Sequence, residues 1–195
     1  MDGKNNMQDA TINQYDYSSV GQVCYSDPKC ESYKKAAAFL GVHKPVEDWG
    51  GATGWAKKYF TSSYKNIDGS AHKNVDVIAD LTEYTSNVNN ILIRQVLESN
   101  INWEKIINNA KKSFTDKLCI VISTPLVQST RMGMRNPIVD SRGKVDQSKY
   151  FQEMLFSKND ILNLFPKSEY KVEEETISTE QYYRKDWILY VEKIH

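Results

Sequence analysis

Pro45-Val46-Glu47-Asp48-Trp49-Gly50-Gly51-Ala52-Thr53-Gly54 is a short β-like run that leads directly into a glycine turn. A helix-like segment follows, with Ala56, Tyr59 and Phe60 on one side. A strand that ends in such a turn ahead of a helix lets backbone approach a ligand closely. It also aims free N–H groups at a negatively charged part of that ligand. Glycine turns join strands to helices for purely structural reasons as well, so the turn gains meaning only from what surrounds it.

Outward from the turn, Tyr64–Ile67 reads as a second strand closed by Asp68-Gly69-Ser70, and Val75–Ala79 as a third closed by Asp80. Asp68 lies 14 residues beyond Gly54 at the carboxyl end of the next strand, where a carboxylate can accept both hydroxyls of a ribose. An Asp before Gly-Ser also suits an ordinary turn. In an open α/β sheet, ligands bind outside the carboxyl ends of the strands. Glycine or acidic features at three successive strand ends therefore converge on one crevice.

Ile91–Ile93 is a fourth strand. Trp103, Ile106, Ile107, Ala110 and Phe114 then mark one face of an amphipathic helix, with Asn102 as its expected N-cap. Leu118–Ile122 is apolar on both faces, as a central parallel strand should be. Ahead of the turn, helical character runs from Glu31 to Leu40 and stops at Gly41. Strands alternating with helices imply βαβ units and a parallel sheet. A short helix over Asn159–Phe165 and two β-like runs, Tyr170–Ile177 and Trp187–Ile194, follow. The connection between those runs is too short for a crossover, which predicts an antiparallel pair.

Residues 1–20 are polar and lack an apolar period, which predicts a flexible arm ahead of a domain spanning 21–195. Ser123 to about Ser157 is aperiodic and rich in proline, glycine and polar residues, which predicts a substrate loop or lid. The 195 residues suit a single domain, and 25 basic residues balance 25 acidic ones. That neutrality favours neither nucleic acid nor an anionic membrane. Three cysteines without a CxxC spacing argue against a disulfide scaffold and a zinc cluster, and no metal is expected. The polar start and the cysteine usage together predict a reduced, cytoplasmic protein.

The order Asp48-x-Gly50-x-Ala52-x-Gly54, then Ile67-Asp68-Gly69-Ser70, then Ile78-Ala79-Asp80-Leu81, resembles that of Rossmann-like (class I) S-adenosylmethionine-dependent methyltransferases. Ile91 to Glu98 is similar to the family's fourth strand and following turn, and Leu118 to Pro125 to its fifth strand. The resemblance covers roughly residues 31–195 and implies a three-layer α/β sandwich. Its seven-stranded sheet would be mostly parallel with an antiparallel last strand. It also implies S-adenosylmethionine as cofactor. Gly50, Gly51, Ala52 and Gly54 would cradle the methionine part, with Asp48 supporting the turn. Asp68, with Gly69 beside it, would bind the ribose. Asp80 and Leu81 would face the adenine, and Arg94 and Gln95 would sit beside the transferred methyl. Ala52 departs from the family's usual glycine, and its methyl group calls for a negative φ.

The turn lacks the G-x-G-x-x-G spacing of nicotinamide dinucleotide sites and the Gly-Lys-Ser/Thr ending of a P-loop. The Asn/Asp-Pro-Pro-aromatic motif of nucleic-acid amino-methyltransferases is replaced by Arg94-Gln95-Val96-Leu97, so a small-molecule or saccharide acceptor is expected rather than a base. A general base is needed only if the acceptor must lose a proton. Glu98 and His72 are the candidates, against the alternatives of a helix-start glutamate and a solvated loop histidine. Two other readings stay open: a non-catalytic nucleoside- or S-adenosylmethionine-binding module of the same fold, and an enzyme using another nucleoside cofactor.

Overall fold

The computed structural model describes residues 31–123, 125–134, 152–178 and 185–195. The arm expected over residues 1–20 and much of the expected lid lie outside the described residues. Helix α1 (Glu31–Leu40) leads into β1 (Val46–Trp49), the glycine turn and a short 3₁₀ turn over Trp55–Tyr59. Then come β2 (Tyr64–Asp68), β3 (Val77–Ile78), β4 (Val88–Arg94), a 3₁₀ turn at Leu97–Ser99, α2 (Trp103–Ser113) and β5 (Phe114–Ser123). A hairpin of β6 (Arg131–Met134) and β7 (Gln152–Leu155) precedes α3 (Lys158–Leu162), β8 (Tyr170–Ser178) and β9 (Lys185–Lys193).

Seven strands form one sheet in the order β3-β2-β1-β4-β5-β9-β8, while β6 and β7 pair separately. Strands β1 to β5 run parallel. β9 is antiparallel to both neighbours, β5 and β8. The expected three-layer, mostly parallel architecture with a reversed last strand is therefore present. Its cause is legible in the side chains: Ile91 and Ile93 of β4, Leu118, Ile120 and Ile122 of β5, and Trp187, Leu189 and Val191 of β9 pack in one core with α2 and α3. The intervening Leu92, Cys119, Val121 and Ile188 pack against α1 and the 3₁₀ turn through Ala36, Ala37, Leu40 and Ala56. Alternation along strands buried on both faces needs a helical layer on each side.

Four details differ from the sequence reading. β3 keeps two of the five expected residues, because the Asp76 carboxylate takes over the ladder by accepting the Asn66 N–H at 2.8 Å. β4 begins three residues before Ile91, since the polar Asn90 is wholly buried and donates its amide to the Leu40 carbonyl at 2.7 Å. Asn102 precedes α2 without a side-chain cap. Lastly, the stretch expected to be aperiodic loop contains the β6–β7 hairpin. Val127 N–H to Phe156 O (2.8 Å), Ser157 N–H to Thr130 Oγ1 (3.0 Å) and Thr130 N–H to Asp160 Oδ2 (2.9 Å) fasten it to the body. Among the described residues, no helix is long and apolar enough to cross a membrane.

Candidate functional site at the carboxyl edge of the sheet

The parallel register brings the ends of β1, β2, β3, β4 and β5 to one edge. Because β9 is reversed, its first residues reach the same edge: Asp186 lies opposite Ser123.

The glycine turn is built by side chains behind it. Gly50 has φ +76° and Gly54 φ +72°, both in the left-handed region. A Cβ on Gly50 would drive into Val96. A Cβ on Gly51 would fall 2.7 Å from Asp48 Oδ2 and closer still to Asn66 Oδ1. The two glycines thus have packing reasons of their own. Asp48 is 2% exposed and accepts the Tyr64 hydroxyl at 2.6 Å; burial pushes its carboxyl up to about 6. Asn66 donates to the carbonyls of Ala52 and Asn74, both at 2.9 Å. Asp48 and Asn66 together form the floor of the turn.

Ala52 is a correction. A negative φ was expected there, yet it is +45°, in the region glycine would take. The conformation lets the Ala52 N–H donate to Asp68 Oδ2 at 2.9 Å, while Ser70 N–H donates to Asp68 Oδ1 at 2.8 Å. Asp68 therefore links the ends of β1 and β2. A carboxylate has about four lone-pair sites, so each oxygen retains acceptor capacity beyond its backbone donor. Gly69 follows it, half-buried. Asp80 Oδ1 accepts the Thr82 N–H at 2.8 Å and shapes the turn after β3. The Leu81 side chain points into the core, so its backbone is what the crevice can use. His72 accepts the Asn74 N–H through Nδ1 at 3.3 Å in the turn after Asp68, apart from the β4–β9 cluster described next.

Beyond β4 lies a buried polar cluster. Arg94, with a side chain 7% exposed, donates to Ser32 Oγ at 3.0 Å and stacks 4.3 Å from the Tyr33 ring. Its guanidinium lies 3.8 Å from Asp186 Oδ2, and Gln95 Nε2 donates to Asp186 Oδ1 at 3.1 Å. Gln95 holds φ +54° to make that turn. Glu98, 6% exposed, accepts the Ser123 N–H at 2.6 Å. Burial first, and then the nearby Glu153 and Asp186 charges, push its carboxyl up to about 7 against the lowering effect of that N–H.

Asp48, the glycine turn and Asp68 form one connected unit; Arg94 and Gln95 form a second with Asp186, Ser32 and Tyr33. The sequence reading missed these last three and Asn66. For Asp186, the available signal was a charge placed immediately before the apolar run Trp187-Ile188-Leu189. Among the described residues, no group of three or more His, Cys, Asp or Glu side chains is placed to hold a metal ion.

The fold has solved counterparts. Similar structures include a Burkholderia thailandensis 1,6-didemethyltoxoflavin-N1-methyltransferase with bound substrate and S-adenosylhomocysteine (10% identity, 84% of this chain and 77% of that one, TM-score 0.60). Another is the glycopeptide N-methyltransferase MtfA with S-adenosylhomocysteine (12% identity, 91% and 95%, TM-score 0.59). A third is the Synechocystis magnesium protoporphyrin IX methyltransferase with S-adenosylmethionine (13% identity, 91% and 88%, TM-score 0.55). The fold is that of the class I methyltransferases. No family profile matches the chain, and no curated protein matches it.

Proposed function

We propose that the chain is a methyltransferase that moves a methyl group from S-adenosylmethionine to a small-molecule or saccharide acceptor. The observation that carries this is the junction of Ala52 and Asp68, which ties the glycine turn to the carboxylate at the next strand end. The donor set suits the cofactor. Asp68 retains acceptor capacity for two ribose hydroxyls, and Asp80 and the Leu81 backbone border the adenine side. Gly50, Gly51, Ala52 and Gly54 line the methionine side, where Arg94 and Gln95 close the crevice. When bound, S-adenosylmethionine supplies an already activated methyl on a sulfonium, so holding the acceptor in line can supply much of the rate.

The domain spans residues 21–195 in this reading, and the acceptor pocket lies between the segment 123–157, the turn Arg94–Glu98 and the N-terminal helix. The structural counterparts act on 1,6-didemethyltoxoflavin, a glycopeptide and magnesium protoporphyrin IX by their names, which is in keeping with a non-nucleic-acid acceptor. We also infer a cytoplasmic location from the odd cysteine count, with Cys119 buried as a free thiol.

Calorimetric titration of S-adenosylhomocysteine into the wild type and Asp68→Ala tests the reading, with circular dichroism confirming that both are folded. Micromolar binding that Asp68→Ala weakens by roughly tenfold or more, the loss of a charged acceptor, supports it. No binding to the folded wild type overturns it. Tight binding without transfer to any acceptor would favour the non-catalytic module, the reading that the strained Ala52 supports.

A further inference from the structure

We propose that Asn66 and Asn74 are positioning residues for the methionine part of the cofactor: their side-chain amides hold the Ala52 and Thr53 carbonyls and so aim the Thr53 N–H at the ligand. This rests on the methyltransferase reading and adds to it two residues that act through the turn, without touching the cofactor.

Asn66 Nδ2 donates to the carbonyls of Ala52 and Asn74, both at 2.9 Å. Asn74 Nδ2 in turn donates to the Thr53 carbonyl at 2.7 Å. The two amides are therefore linked in series, from β2 through the loop ahead of β3 to the turn after β1. Asn66 is anchored by its own backbone: its N–H donates to Asp76 Oδ2 at 2.8 Å, and its carbonyl accepts the Asp76 N–H at 2.9 Å. Packing repeats the relationship. A Cβ on Gly51 would fall 2.3 Å from Asn66 Oδ1, and one on Gly54 would fall 3.3 Å from Asn66 Nδ2 and 3.4 Å from Asn74 Cβ. The turn lies directly on these two side chains.

The N–H groups of the turn can be accounted for one by one. Those of Gly50 and Gly51 donate to the Ile67 carbonyl at 2.7 and 3.4 Å, and that of Gly54 to the Gly51 carbonyl at 2.8 Å. Ala52 donates to Asp68. Among the described residues, the Thr53 N–H is left without an acceptor. The peptide joining Ala52 to Thr53 is planar, so that N–H points opposite to the Ala52 carbonyl. Asn66, wholly buried, holds the carbonyl inward. The N–H then faces the outer side of the turn, where Gly51, Ala52 and Gly54 are half-buried. The carboxylate of the methionine part is the strong acceptor that such a donor needs. Without the two amides the peptide is free to rotate, and the donor loses its fixed direction.

The test titrates the full chain with S-adenosylhomocysteine and with 5′-methylthioadenosine, which keeps the nucleoside and lacks the amino-acid part. Circular dichroism confirms that each variant is folded. In Asn74→Ala the affinity for S-adenosylhomocysteine should fall by roughly fivefold, one lost hydrogen bond, and that for methylthioadenosine by about twofold at most. Asn66→Ala should widen the same gap; if it does not fold, Asn74→Ala, at a half-buried position, carries the test alone. Asn74→Asp keeps the shape without the donor and should lose as much as Asn74→Ala. Equal losses for the two ligands, or unchanged affinity for S-adenosylhomocysteine, overturn the proposal, because a general loosening does not single out the amino-acid part. Methylthioadenosine that fails to bind the wild type overturns it too, since nucleoside and turn would then not be separable. Failure of S-adenosylhomocysteine to bind the folded wild type overturns the methyltransferase reading, and this proposal with it.

Discussion

Ala52 donates its N–H to Asp68 Oδ2 at 2.9 Å across 16 residues of chain, and reaches it only by holding φ at +45°. An L-residue other than glycine pays about 1–2 kcal/mol for that conformation. Glycine would remove the strain but loses about 0.4–1 kcal/mol through its freer unfolded chain. Ala52→Gly should therefore stabilise the protein by about 0.5–1 kcal/mol in urea denaturation, and S-adenosylhomocysteine should bind no more weakly. A variant less stable than the wild type would mean that the Ala52 methyl has a packing role.

The turn's first glycine is constrained twice, by φ +76° and by Val96. Gly50→Ala should cost about 3 kcal/mol or more, combining backbone strain with a clash. Adding Val96→Ala removes the side-chain part alone. A double-mutant cycle should then show a favourable coupling of about 1–2 kcal/mol with incomplete recovery. Additive effects would rule out Val96 as the obstacle.

Glu98 and Asp48 make the stability pH-dependent with a definite sign. Burial, the larger cause for both, holds Glu98 at about 7 instead of 4.5 and Asp48 at about 6 instead of 3.8. The unfolded chain releases these protons first, so their contribution is present at low pH and is lost as pH rises through the folded-state values. For Glu98 the loss amounts to about 3 kcal/mol between pH 4.5 and 8. Glu98→Gln should gain on the wild type over that window in urea denaturation. A pH-independent difference between the two would contradict the burial argument.

Asp186 is fully buried beside Arg94. Asp186→Ala should cost about 3–5 kcal/mol, because it leaves a guanidinium buried without its counter-charge. Asp186→Asn keeps an acceptor for Gln95 Nε2 and should cost less. Equal losses in thermal and urea unfolding would show that the charge, not the hydrogen bond, matters.

The strands that set the fold were legible because they are apolar in runs: Ile91–Ile93 and Leu118–Ile122 announce central strands without help. So were Asp68 and Asp80, through their places after the runs Tyr64–Ile67 and Val75–Ala79, and Asp48, through its place just before the glycine turn. The hairpin was not. Its strands, Arg131-Met132-Gly133-Met134 and Gln152-Glu153-Met154-Leu155, have weak β character, and 17 intervening residues hide the pairing. Ala52 misled because its residue type is mild while its conformation is not; the Asp68 carboxylate, distant in sequence, holds it there. Asp186 and Glu98 escaped pairing because their proximity depends on β9 lying beside β5, a neighbour relation that no local pattern encodes.

The placement of β9 also divides the crevice by where its parts come from in the chain. β9 lies between β5 and β8 in the sheet although β8 precedes it in the chain, so β8 joins the sheet only through β9. The junction of Ala52 with Asp68 is made within the parallel strands. Arg94 takes its counter-charge from Asp186 of β9. One side of the crevice is thus assembled from neighbouring segments, and its acidic side is supplied by a strand nearly a hundred residues further on.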